Sequence, residues 1–294
     1  MYRYTTVTFP GLGLEMDPIR EFSVGPLTIH LYGLIIAIGL ITAAYYAMHR
    51  SRQFGLTEDH ILDGILWVTP FAILCARAYY CIFEWEMYRD DPISVLYIWK
   101  GGLAIYGGVI GAVIGVIVFC RKRKISLWAT LDLVALGFLI GQSAGRWGNF
   151  FNREAFGGLT DSFLRMGLYN TATGAFEYHH PTFLYESVWN LTGFVILHFL
   201  SKHRKYDGQV ALGYMAWYGL GRAVIEGLRT DSLYITGTNI RVSQLLAAVS
   251  CAVAVILLVY QAMRPHDEKD LFVNRVAAMQ NQTEPEENGG NENG

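Results

Sequence analysis

The sequence predicts an all-α polytopic membrane protein with seven transmembrane helices. Of its 294 residues, 52% are hydrophobic and 16% are charged, whereas ordinary soluble domains have about 25% charged residues. The apolar residues form long runs, each close to the roughly 20 residues that a helix needs to cross a bilayer. A soluble protein is disfavoured, because so many apolar runs are hard to bury otherwise. The predicted spans are Leu27–Met48, Ile61–Phe83, Leu103–Cys120, Leu127–Gly145, Thr182–Leu200, Val210–Leu228 and Val242–Met263.

Basic residues between the spans predict the orientation. The connections after the first, third and fifth spans are short and basic, and the positive-inside rule places them in the cytoplasm. The connection after the second span, residues 84–100, is mainly acidic. We therefore expect the N-terminus outside and the C-terminus in the cytoplasm. The basic residues are Arg50, Arg52, Arg121, Lys122, Arg123, Lys124, Lys202, Arg204 and Lys205.

The chain divides into three predicted regions. Residues 1–26 are expected to be an outward N-terminal segment on the membrane surface, and they lack the basic start and apolar run of a cleavable signal. Residues 27–263 form the seven-helix membrane domain. Within it, residues 146–181 are a long connection whose aromatic residues predict a small outward head between helices 4 and 5, with a hairpin near Thr173-Gly174. Residues 264–294 are predicted to be a disordered cytoplasmic tail, because they are too polar to fold alone.

Three polar side chains and a glycine repeat mark the outer ends of the first three spans. His30 and Tyr32 open the first span, where anchoring at the membrane interface would explain them on their own. Arg77 lies inside the second span, and an arginine there usually faces a watery cavity because its insertion costs about 2.5–3.5 kcal/mol. Glycines recur every fourth residue from Gly107, which predicts close helix packing. The double-glycine entry around Tyr106 suggests that backbone there lines a cavity.

A polar cluster follows the fourth span. Arg146, Asn149, Asn152 and Glu154 fall within nine residues, separated by glycines and aromatic residues. Arginine offers a planar fork of donors, and asparagine offers both a donor and an acceptor. This mixture at the end of a membrane helix predicts a site that holds an anionic head group.

The fifth and sixth spans carry a second set of polar residues. Tyr218, Arg222 and Glu226 are spaced four apart and therefore share one helix face. An internal ion pair that ties helices together is the structural alternative, but such pairs are uncommon inside membranes, which favours function. Tyr185 and Glu186 lie one turn beyond the start of the fifth span.

Metal sites, redox sites and cofactors are not predicted. The adjacent His179 and His180 indicate a metal only weakly, because no cysteine or further histidine lies at a supporting spacing. The four cysteines lie in or beside spans without paired spacing and are interpreted as packing residues. Asp63 and Asp132 lie near cytoplasmic helix starts, where a carboxylate favours the helix dipole, and are predicted to be structural. The cysteines are Cys75, Cys81, Cys120 and Cys251.

The predicted topology brings these polar residues together on one side of the membrane. The outer helix ends collect arginines, asparagines, glutamates and tyrosines, whereas the cytoplasmic ends carry basic surface residues. Such a distribution predicts an outward cavity for an anion drawn from the outer leaflet. The phosphate of a phospholipid is the obvious candidate, and no nucleic acid is expected as a partner.

Six short motifs resemble those of the prolipoprotein diacylglyceryl transferase family, in the family's order. The segment from Gly145 to Gly157 is similar to the family signature Gly-Arg-x-Gly-Asn-Phe-x-Asn-x-Glu-x-x-Gly. One motif would be weak, but six in sequence are very specific. The other five are His30-x-Tyr32-Gly33, Arg77-x-Tyr-Tyr80, Trp99-x-Gly-Gly102, His180-Pro181-x-x-Leu-Tyr185-Glu186 and Tyr218-x-x-x-Arg222-x-x-x-Glu226.

The resemblance implies a reaction on the outer face of the bacterial inner membrane. A diacylglyceryl group would move from phosphatidylglycerol to the thiol of the lipobox cysteine in a prolipoprotein signal peptide, with release of glycerol 1-phosphate. Such a reaction needs the lipid bilayer but no cofactor. It would be the first step of bacterial lipoprotein maturation.

The resemblance also implies roles for individual residues. Arg146 and Arg222 would stabilise the departing phosphate, with Glu226 and Tyr106 as the other catalytic candidates. Tyr32, Asn149 and Asn152 would orient the glycerol and phosphate oxygens, and Glu154, Glu186 and Glu226 would fix the arginines. The remaining substrate-binding candidates are His30, Arg77, Gly157, Tyr185 and Tyr218.

One position departs from the family pattern, and two other functions stay open. Many members carry histidine where this chain has Tyr106, so a histidine base at this position is in doubt, and Tyr106 is interpreted as a hydrogen-bond donor or proton relay. A transporter or flippase for an anionic lipid would also collect arginines, but it should show repeated halves, which this sequence lacks. An intramembrane protease would need a nucleophile, and Ser143 lacks the sequence context of one.

Overall fold

The computed structural model describes residues 4–230, 232–235 and 237–283. Each of the seven predicted spans is helical over most of its length, and the protein is mostly helical as predicted. Helices α1–α5 and α7 are the six described helices that are long and apolar enough to cross a membrane. Helix α6, with 17 residues, is shorter. The helices are α1 (Leu31–Arg50), α2 (Glu58–Phe83), α3 (Ile105–Arg123), α4 (Leu127–Asn152), α5 (Thr182–Ser201), α6 (Gln209–Ile225), α7 (Val242–Ala262) and α8 (Phe272–Thr283).

The first membrane helix begins later than predicted. Residues Leu27–His30 form strand β4, which pairs antiparallel with strand β3 (Glu21–Val24). Gly25, at φ +62°, permits the tight turn between the two strands. Helix α1 therefore begins at Leu31, directly after this hairpin.

The N-terminal segment and the head loop form one four-stranded sheet, which the all-α prediction did not include. The strands are β1 (Tyr4–Phe9), β2 (Leu14–Met16), β5 (Met166–Asn170) and β6 (Ala175–His179). Their order is β2-β1-β5-β6, and all neighbours are antiparallel. The hairpin predicted near Thr173-Gly174 is confirmed, since Gly174 takes φ +69° in the turn that joins β5 and β6. Strands β1 and β2 of the predicted outward N-terminal segment therefore belong to the same sheet as the head loop.

The sheet packs onto the helix ends that carry the polar cluster. A buried apolar core joins the sheet to Phe150 of α4 and Phe183 of α5. In β1, an odd spacing separates the buried residues Tyr4 and Val7, and the register with β5 shifts between them. This irregularity lets both side chains enter the same core, because a regular strand would point them to opposite faces. The core residues contributed by the sheet are Tyr4, Val7, Phe9, Met166 and Leu168.

The chain forms two compact units. The first contains residues Met1–Tyr46 and Asp132–Glu268, and the second contains Ala47–Leu131 and Lys269–Gly294. Both sheets, α5, α6, α7 and most of α1 and α4 belong to the first unit. Helices α2, α3 and α8 belong to the second.

Glycine packing joins α2 and α3 in the second unit, as the four-residue repeat predicts. A Cβ on Gly107 would lie 2.4 Å from the Cβ of Tyr79, and one on Gly111 would lie 2.5 Å from the Cβ of Cys75. Real side chains never approach so closely, so only glycine permits this separation of the two helices. Asp63 of α2 forms an ion pair with Arg123 of α3.

The second predicted structural aspartate caps a helix other than its own. Asp132 of α4 is fully buried and accepts hydrogen bonds from the backbone N–H groups of Gly208 and Ala211, both at 2.8 Å. These are donors that the start of α6 leaves without partners inside the helix. Asp132 therefore fixes where α6 begins against α4.

The prediction of a disordered tail is wrong for part of it. Residues Phe272–Thr283 form α8, and a Cβ on Gly55 would lie 2.9 Å from both Phe272 and Val273. The apolar start of α8 thus packs beside the short helical turn Ser51–Phe54. Residues 284–294, also predicted to be disordered, lie outside the described part of the chain.

Candidate active site

One buried glutamate joins two arginines from different helices. Glu186 lies in the first turns of α5, and its side chain is 5% exposed. Its Oε2 lies 2.5 Å from the Nε of Arg146 on α4, and its Oε1 accepts a hydrogen bond from Nη1 of Arg222 on α6 at 2.6 Å. Helices α4, α5 and α6 therefore meet at a single carboxylate, as the sequence predicts for this group of residues.

A second glutamate extends the cluster toward α7. Glu226 follows α6 directly, and its Oε2 lies 2.7 Å from Nη2 of Arg222 and 4.0 Å from Nε of Arg229. Nη1 of Arg229 lies 3.8 Å from Oε1 of Glu186. Three guanidinium groups thus share two carboxylates, which leaves one excess positive charge within this set. We call these five residues the arginine cluster: Arg146, Glu186, Arg222, Glu226 and Arg229.

An amide network continues from the arginine cluster along α4. Nη1 of Arg146 donates to Oδ1 of Asn149 at 3.3 Å, and Nδ2 of Asn149 donates to Oε1 of Glu154 at 3.1 Å. Nδ2 of Asn152 donates to the same carboxylate oxygen at 3.3 Å. Because these residues recur every third position on α4, they share one face of its last turns. Their amide donors and acceptors therefore lie beside the guanidinium of Arg146, a group that can bind an anion.

The aromatic residues of the same segment pack α4 against α5. Nε1 of Trp147 donates to Oγ of Ser187 at 3.1 Å, and the rings of Phe150 and Phe183 lie 4.9 Å apart. These contacts join α4 to α5 at the level of Arg146 and Glu186.

Gly157 joins three segments around the cluster. Its N–H donates to the carbonyl of His180, and the N–H of Gly158 donates to the carbonyl of Leu228 at 2.8 Å. A Cβ on Gly157 would lie 2.7 Å from His180 and 2.9 Å from the carbonyl oxygen of Leu228, so no side chain fits. The structure thus explains this glycine by backbone contact, and the contact places Arg229 beside the start of α5.

A pair of tryptophans, which the sequence interpretation missed, locks α5 to α6. Nε1 of Trp189 donates to the carbonyl of Trp217 at 3.0 Å, and Nε1 of Trp217 donates to the carbonyl of Trp189 at 2.9 Å. The two indole rings stack with centroids 4.4 Å apart. Each ring lies over a glycine of the opposite helix, Gly221 for Trp189 and Gly193 for Trp217. We call this arrangement the tryptophan clamp.

The clamp sets the position of the charged residues. Glu186 lies three residues before Trp189 on α5, and Arg222 lies five residues after Trp217 on α6. Because the clamp uses two hydrogen bonds and a ring stack, a slip of one helix along the other would break all of them together. The sequence signal available in advance was the repeated spacing, in which a glycine follows each tryptophan by four positions.

Other predicted site residues in the first unit make local contacts. The ring of Tyr32 covers Gly148, where a Cβ would lie 2.6 Å from it. Nδ1 of His30 lies 3.0 Å from Glu21 in the β3–β4 hairpin and is largely exposed. Tyr185 lies 3.4 Å from His180 through its hydroxyl, and the ring of Tyr218 stacks on that of Tyr214 at 5.6 Å.

Arg153 was also missed by the sequence interpretation. Its guanidinium is buried, and Nη2 contacts both Oδ1 of Asp17 and the carbonyl of Pro18 at 2.6 Å. It thereby ties the end of α4 to the N-terminal segment. In the sequence Arg153 lies between the candidate site residues Asn152 and Glu154. Its spacing therefore gives no sign that its role is structural.

Arg77 and Tyr106 belong to the second unit. Arg77 is buried and donates to the carbonyls of Ser94, Val95, Gly101 and Gly102 at 2.7–2.9 Å. All three of its guanidinium nitrogens therefore donate to the backbone of the connection between α2 and α3. Arg77 thus stabilises the conformation of this loop. Tyr106 lies in the first turn of α3 and is 38% exposed.

The adjacent histidines are used within the head. Nδ1 of His179 lies 2.9 Å from the carbonyl oxygen of Gly157, and its Nε2 lies 3.6 Å from Glu177. His180 contacts Tyr185. In the described part of the chain, no group of three histidine, cysteine or acidic side chains could hold a metal ion.

Comparison with known proteins identifies the family. The family model described as prolipoprotein diacylglyceryl transferase matches residues 20–260. The chain belongs to this family. It is similar to the phosphatidylglycerol–prolipoprotein diacylglyceryl transferase of Bacillus velezensis, with 43% identity over 87% of this chain and 96% of the relative. The proteins of the same name from Limosilactobacillus reuteri and Lactiplantibacillus plantarum are 43% and 46% identical over 90% and 80% of this chain, and over 98% and 85% of their own lengths.

Family membership gives the site a chemical context. The matched region includes the arginine cluster, the amide network, the tryptophan clamp and Tyr106. In this transferase, the arginine cluster presents an excess of positive charge at the junction of α4, α5 and α6. Such a site can bind a phosphate and stabilise further negative charge on it.

Proposed function

We propose that this membrane transferase moves the diacylglyceryl group of phosphatidylglycerol to the thiol of the lipobox cysteine in a prolipoprotein signal peptide. Glycerol 1-phosphate is the second product. The family and the names of the relatives support the donor and the acceptor protein. The arginine cluster is the observation that carries the proposal, because the reaction needs a place where a phosphate ester departs with its charge.

The bond changes define what the site must do. The cysteine sulfur attacks the glycerol carbon that carries the phosphate ester, a C–S bond forms, and the C–O bond to phosphate breaks. The thiol gives up its proton, and the departing phosphate gains negative charge. Groups that bind the departing phosphate more tightly than the ester lower the barrier, since they act in the transition state.

The two arginines are suited to different parts of this task. Both terminal nitrogens of Arg222 already face carboxylates, those of Glu186 and Glu226. Arg146 meets Glu186 through Nε, and its Nη1 donates to an asparagine amide. The terminal nitrogens of Arg146 are therefore better placed to exchange a neutral acceptor for a phosphate. Arg222 supplies positive charge close by, and the carboxylates of the two glutamates hold both groups in place.

Deprotonation of the thiol is the smaller part of the barrier. A thiol with a pKa of about 8.5 is already a few per cent thiolate at pH 7, so complete deprotonation gains about 30-fold. One well-aimed donor to a developing charge contributes about 10²–10³. The reaction can thus proceed with Tyr106 in place of a histidine. We propose that Tyr106 acts as a hydrogen-bond donor or proton relay at the substrate.

The sheet supports the proposed orientation. Strands β1 and β5 are hydrogen-bonded, so the N-terminal segment and the head loop lie on the same side of the membrane. The four helices between them then cross the membrane an even number of times. The basic run after α3 favours the cytoplasm for the opposite side. We propose that the head and the arginine cluster face outward from the bacterial inner membrane, with the C-terminus in the cytoplasm.

Seven crossings also require α6 to span the bilayer. Its 17 residues cover about 26 Å at 1.5 Å per residue, somewhat less than the roughly 30 Å of hydrocarbon. The 3-10 turn Glu226–Leu228 follows α6 directly and adds up to about 6 Å. We propose α6 as the seventh span on this basis.

A defined assay tests the function. Purified protein is mixed with phosphatidylglycerol and a lipobox peptide, and the peptide mass is measured. The expected result is a mass gain of one diacylglyceryl group on the cysteine, with release of glycerol 1-phosphate. A peptide with serine in place of the cysteine is the matched control and should not change mass. Equal modification of both peptides, or no product with a folded, membrane-inserted preparation, would disprove the proposal.

A further inference from the structure

An apolar groove lies between α2 and α3 in the second unit. Its cavity volume is about 490 Å³, which is within the usual range of about 300–1,000 Å³ for small-molecule sites. Two basic residues, Lys122 and Arg123, close one end. The apolar walls are formed by Trp67, Val68, Phe71, Gly115, Val118 and Phe119.

The groove arises because α2 and α3 separate along their length. A Cβ on Gly107 or Gly111 would lie within 2.5 Å of α2, whereas at Gly115 the nearest atom of α2 is 3.3 Å away. Beyond Gly115 the repeat of small residues ends, and larger side chains line the space between the helices. The opening therefore lies toward the basic end of α3.

The charge at this end is net positive, because the four basic residues at the end of α3 outnumber the three acidic residues Glu58, Asp59 and Asp63 at the start of α2. Lys122 and Arg123 belong to a run of four basic residues that begins at Arg121. Asp63 forms an ion pair with Arg123 and offsets one of these charges. An apolar groove that ends in excess positive charge is complementary to a molecule with an acyl chain and an anionic head group. Inorganic phosphate, which has no chain, would leave the groove walls unused.

We propose that this groove binds an anionic glycerophospholipid, with an acyl chain along the apolar walls and the phosphate beside Lys122. The stretch of α3 from Gly115 to Arg123 covers about 12 Å of helix, which accommodates part of one chain. The lining residues belong to a different compact unit from the arginine cluster. The site is therefore a second lipid site, and it does not depend on the proposed reaction.

A charge variant tests the head-group contact. Full-length protein in detergent is mixed with phosphatidylserine or phosphatidylcholine of identical acyl chains, and bound lipid is counted by native mass spectrometry. Lys122→Gln should lower phosphatidylserine affinity about fivefold, the contribution of one basic residue to anionic lipid binding, and leave phosphatidylcholine unchanged. Arg121→Gln, which removes the same charge outside the groove, should have less than a twofold effect. Equal losses in the two variants, or no preference for phosphatidylserine in the unmodified protein, would overturn the proposal.

A steric variant and a crosslink test the position of the chain. Val118→Trp fills the groove and should abolish the phosphatidylserine preference, whereas Val113→Trp, at an exposed site of α3 outside the groove, should preserve it. Melting temperatures of both variants check that folding is unchanged. A phosphatidylserine with a diazirine in its acyl chain should label the peptide that contains residues 115–123. Labelling confined to other peptides would show that the lipid binds elsewhere.

Discussion

Arg146 contacts the carboxylate of Glu186 through Nε, and Arg222 contacts it through Nη1. Substitutions at the two positions should therefore affect the reaction differently. Arg146 must present a planar fork to the phosphate, and a lysine cannot donate two parallel hydrogen bonds. We expect Arg146→Lys to lower the transfer rate about 10²–10³-fold, the usual contribution of one donor to a developing charge. Turnover by purified, folded protein is the measurement.

The control for this prediction is a conservative change away from the site. Arg89→Lys alters an arginine whose side chain is 62% exposed between α2 and α3, and it should leave the rate unchanged. Near-normal turnover by Arg146→Lys would remove Arg146 from phosphate binding.

Tyr106 provides a second prediction at the scale of single residues. If its hydroxyl donates to substrate or relays the thiol proton, Tyr106→Phe should lose activity and Tyr106→His should remain active. Both variants keep a ring at an exposed position in the first turn of α3, so the fold should be unaffected. Wild-type turnover by the phenylalanine variant would show that the proton leaves by another route, with His30 and His180 the next residues to test.

The sequence indicated the charged residues of the site but not the contacts that hold them. Glu186 and Glu226 were predicted to fix arginines, and the structure confirms these pairs. Glu154 was predicted to do the same, but its carboxylate accepts hydrogen bonds from Asn149 and Asn152. Arg77 was expected near an anion because an arginine inside a span usually faces a cavity, and its donors instead bind four backbone carbonyls. Carbonyls exposed by an irregular loop have no signature in the sequence, so this use of an arginine could not be read from spacing.

The tryptophan clamp predicts that alanine is tolerated differently at two helix glycines, Gly221 and Gly141. A Cβ on Gly221 would lie 2.1 Å from Nε1 of Trp189, within a rigid ring that is already hydrogen-bonded. We expect Gly221→Ala to destabilise the protein by about 1–3 kcal/mol through overpacking and to lower its thermal midpoint in detergent. Gly141→Ala, where a Cβ would meet nothing within 4 Å, should be neutral or stabilising. Equal midpoints for the two variants would mean that the clamp does not hold α5 against α6.

The head sheet should lose stability in acid through one carboxylate. Hydrogen bonds from Asn170 and Tyr4 hold the pKa of Glu177 below its ordinary value. Because the folded pKa is lower, this stabilisation is complete above about pH 4.3, the ordinary glutamate value. It is lost as the pH falls through the folded pKa. The protection factors of the amides in β5 and β6 should therefore fall below about pH 4.3.

A variant isolates this effect from general acid unfolding. Glu177→Gln cannot ionise, so the protection factors of its β5 and β6 amides should be lower at neutral pH and should change less on acidification. Glu15→Gln, on the exposed strand β2, should behave like the unmodified protein. Identical acid profiles for Glu177→Gln and the unmodified protein would contradict the prediction.

The membrane helices could be predicted because a long apolar run suffices to define them, whereas only the β5–β6 hairpin of the sheet could be predicted. Strand β1 pairs with β5 across about 160 residues, and its short alternating pattern is no stronger than that of many loops. Strand β4 was absorbed into the first span because its apolar residues continue into α1. The start of α8 was missed for a similar reason, since the contact of Phe272 with Gly55 is remote in sequence.

The orientation of the whole molecule can be tested without catalysis. Single cysteines at Ser162 and Thr171 of the head should react with an impermeant thiol reagent added to intact cells, and cysteines at Lys122 and Lys202 should not. The background needs its own cysteines replaced, and disruption of the cells before labelling is the positive control for the inner positions. Labelling in the reverse pattern would overturn the proposed orientation together with the outward site.

The pairing of β1 with β5 also determines when the head sheet can form during biosynthesis. Strand β1 leaves the ribosome among the first residues, but its partner follows about 160 residues later, which takes about 8–30 s at ordinary rates of synthesis. In the proposed orientation, the strand waits outside the membrane during that interval, with the edge that will pair with β5 and its apolar residues exposed, while the four helices that follow it are inserted. Translation pauses or bulky N-terminal fusions that occupy β1 in this interval should therefore delay maturation of the head, even though they leave every membrane helix unchanged.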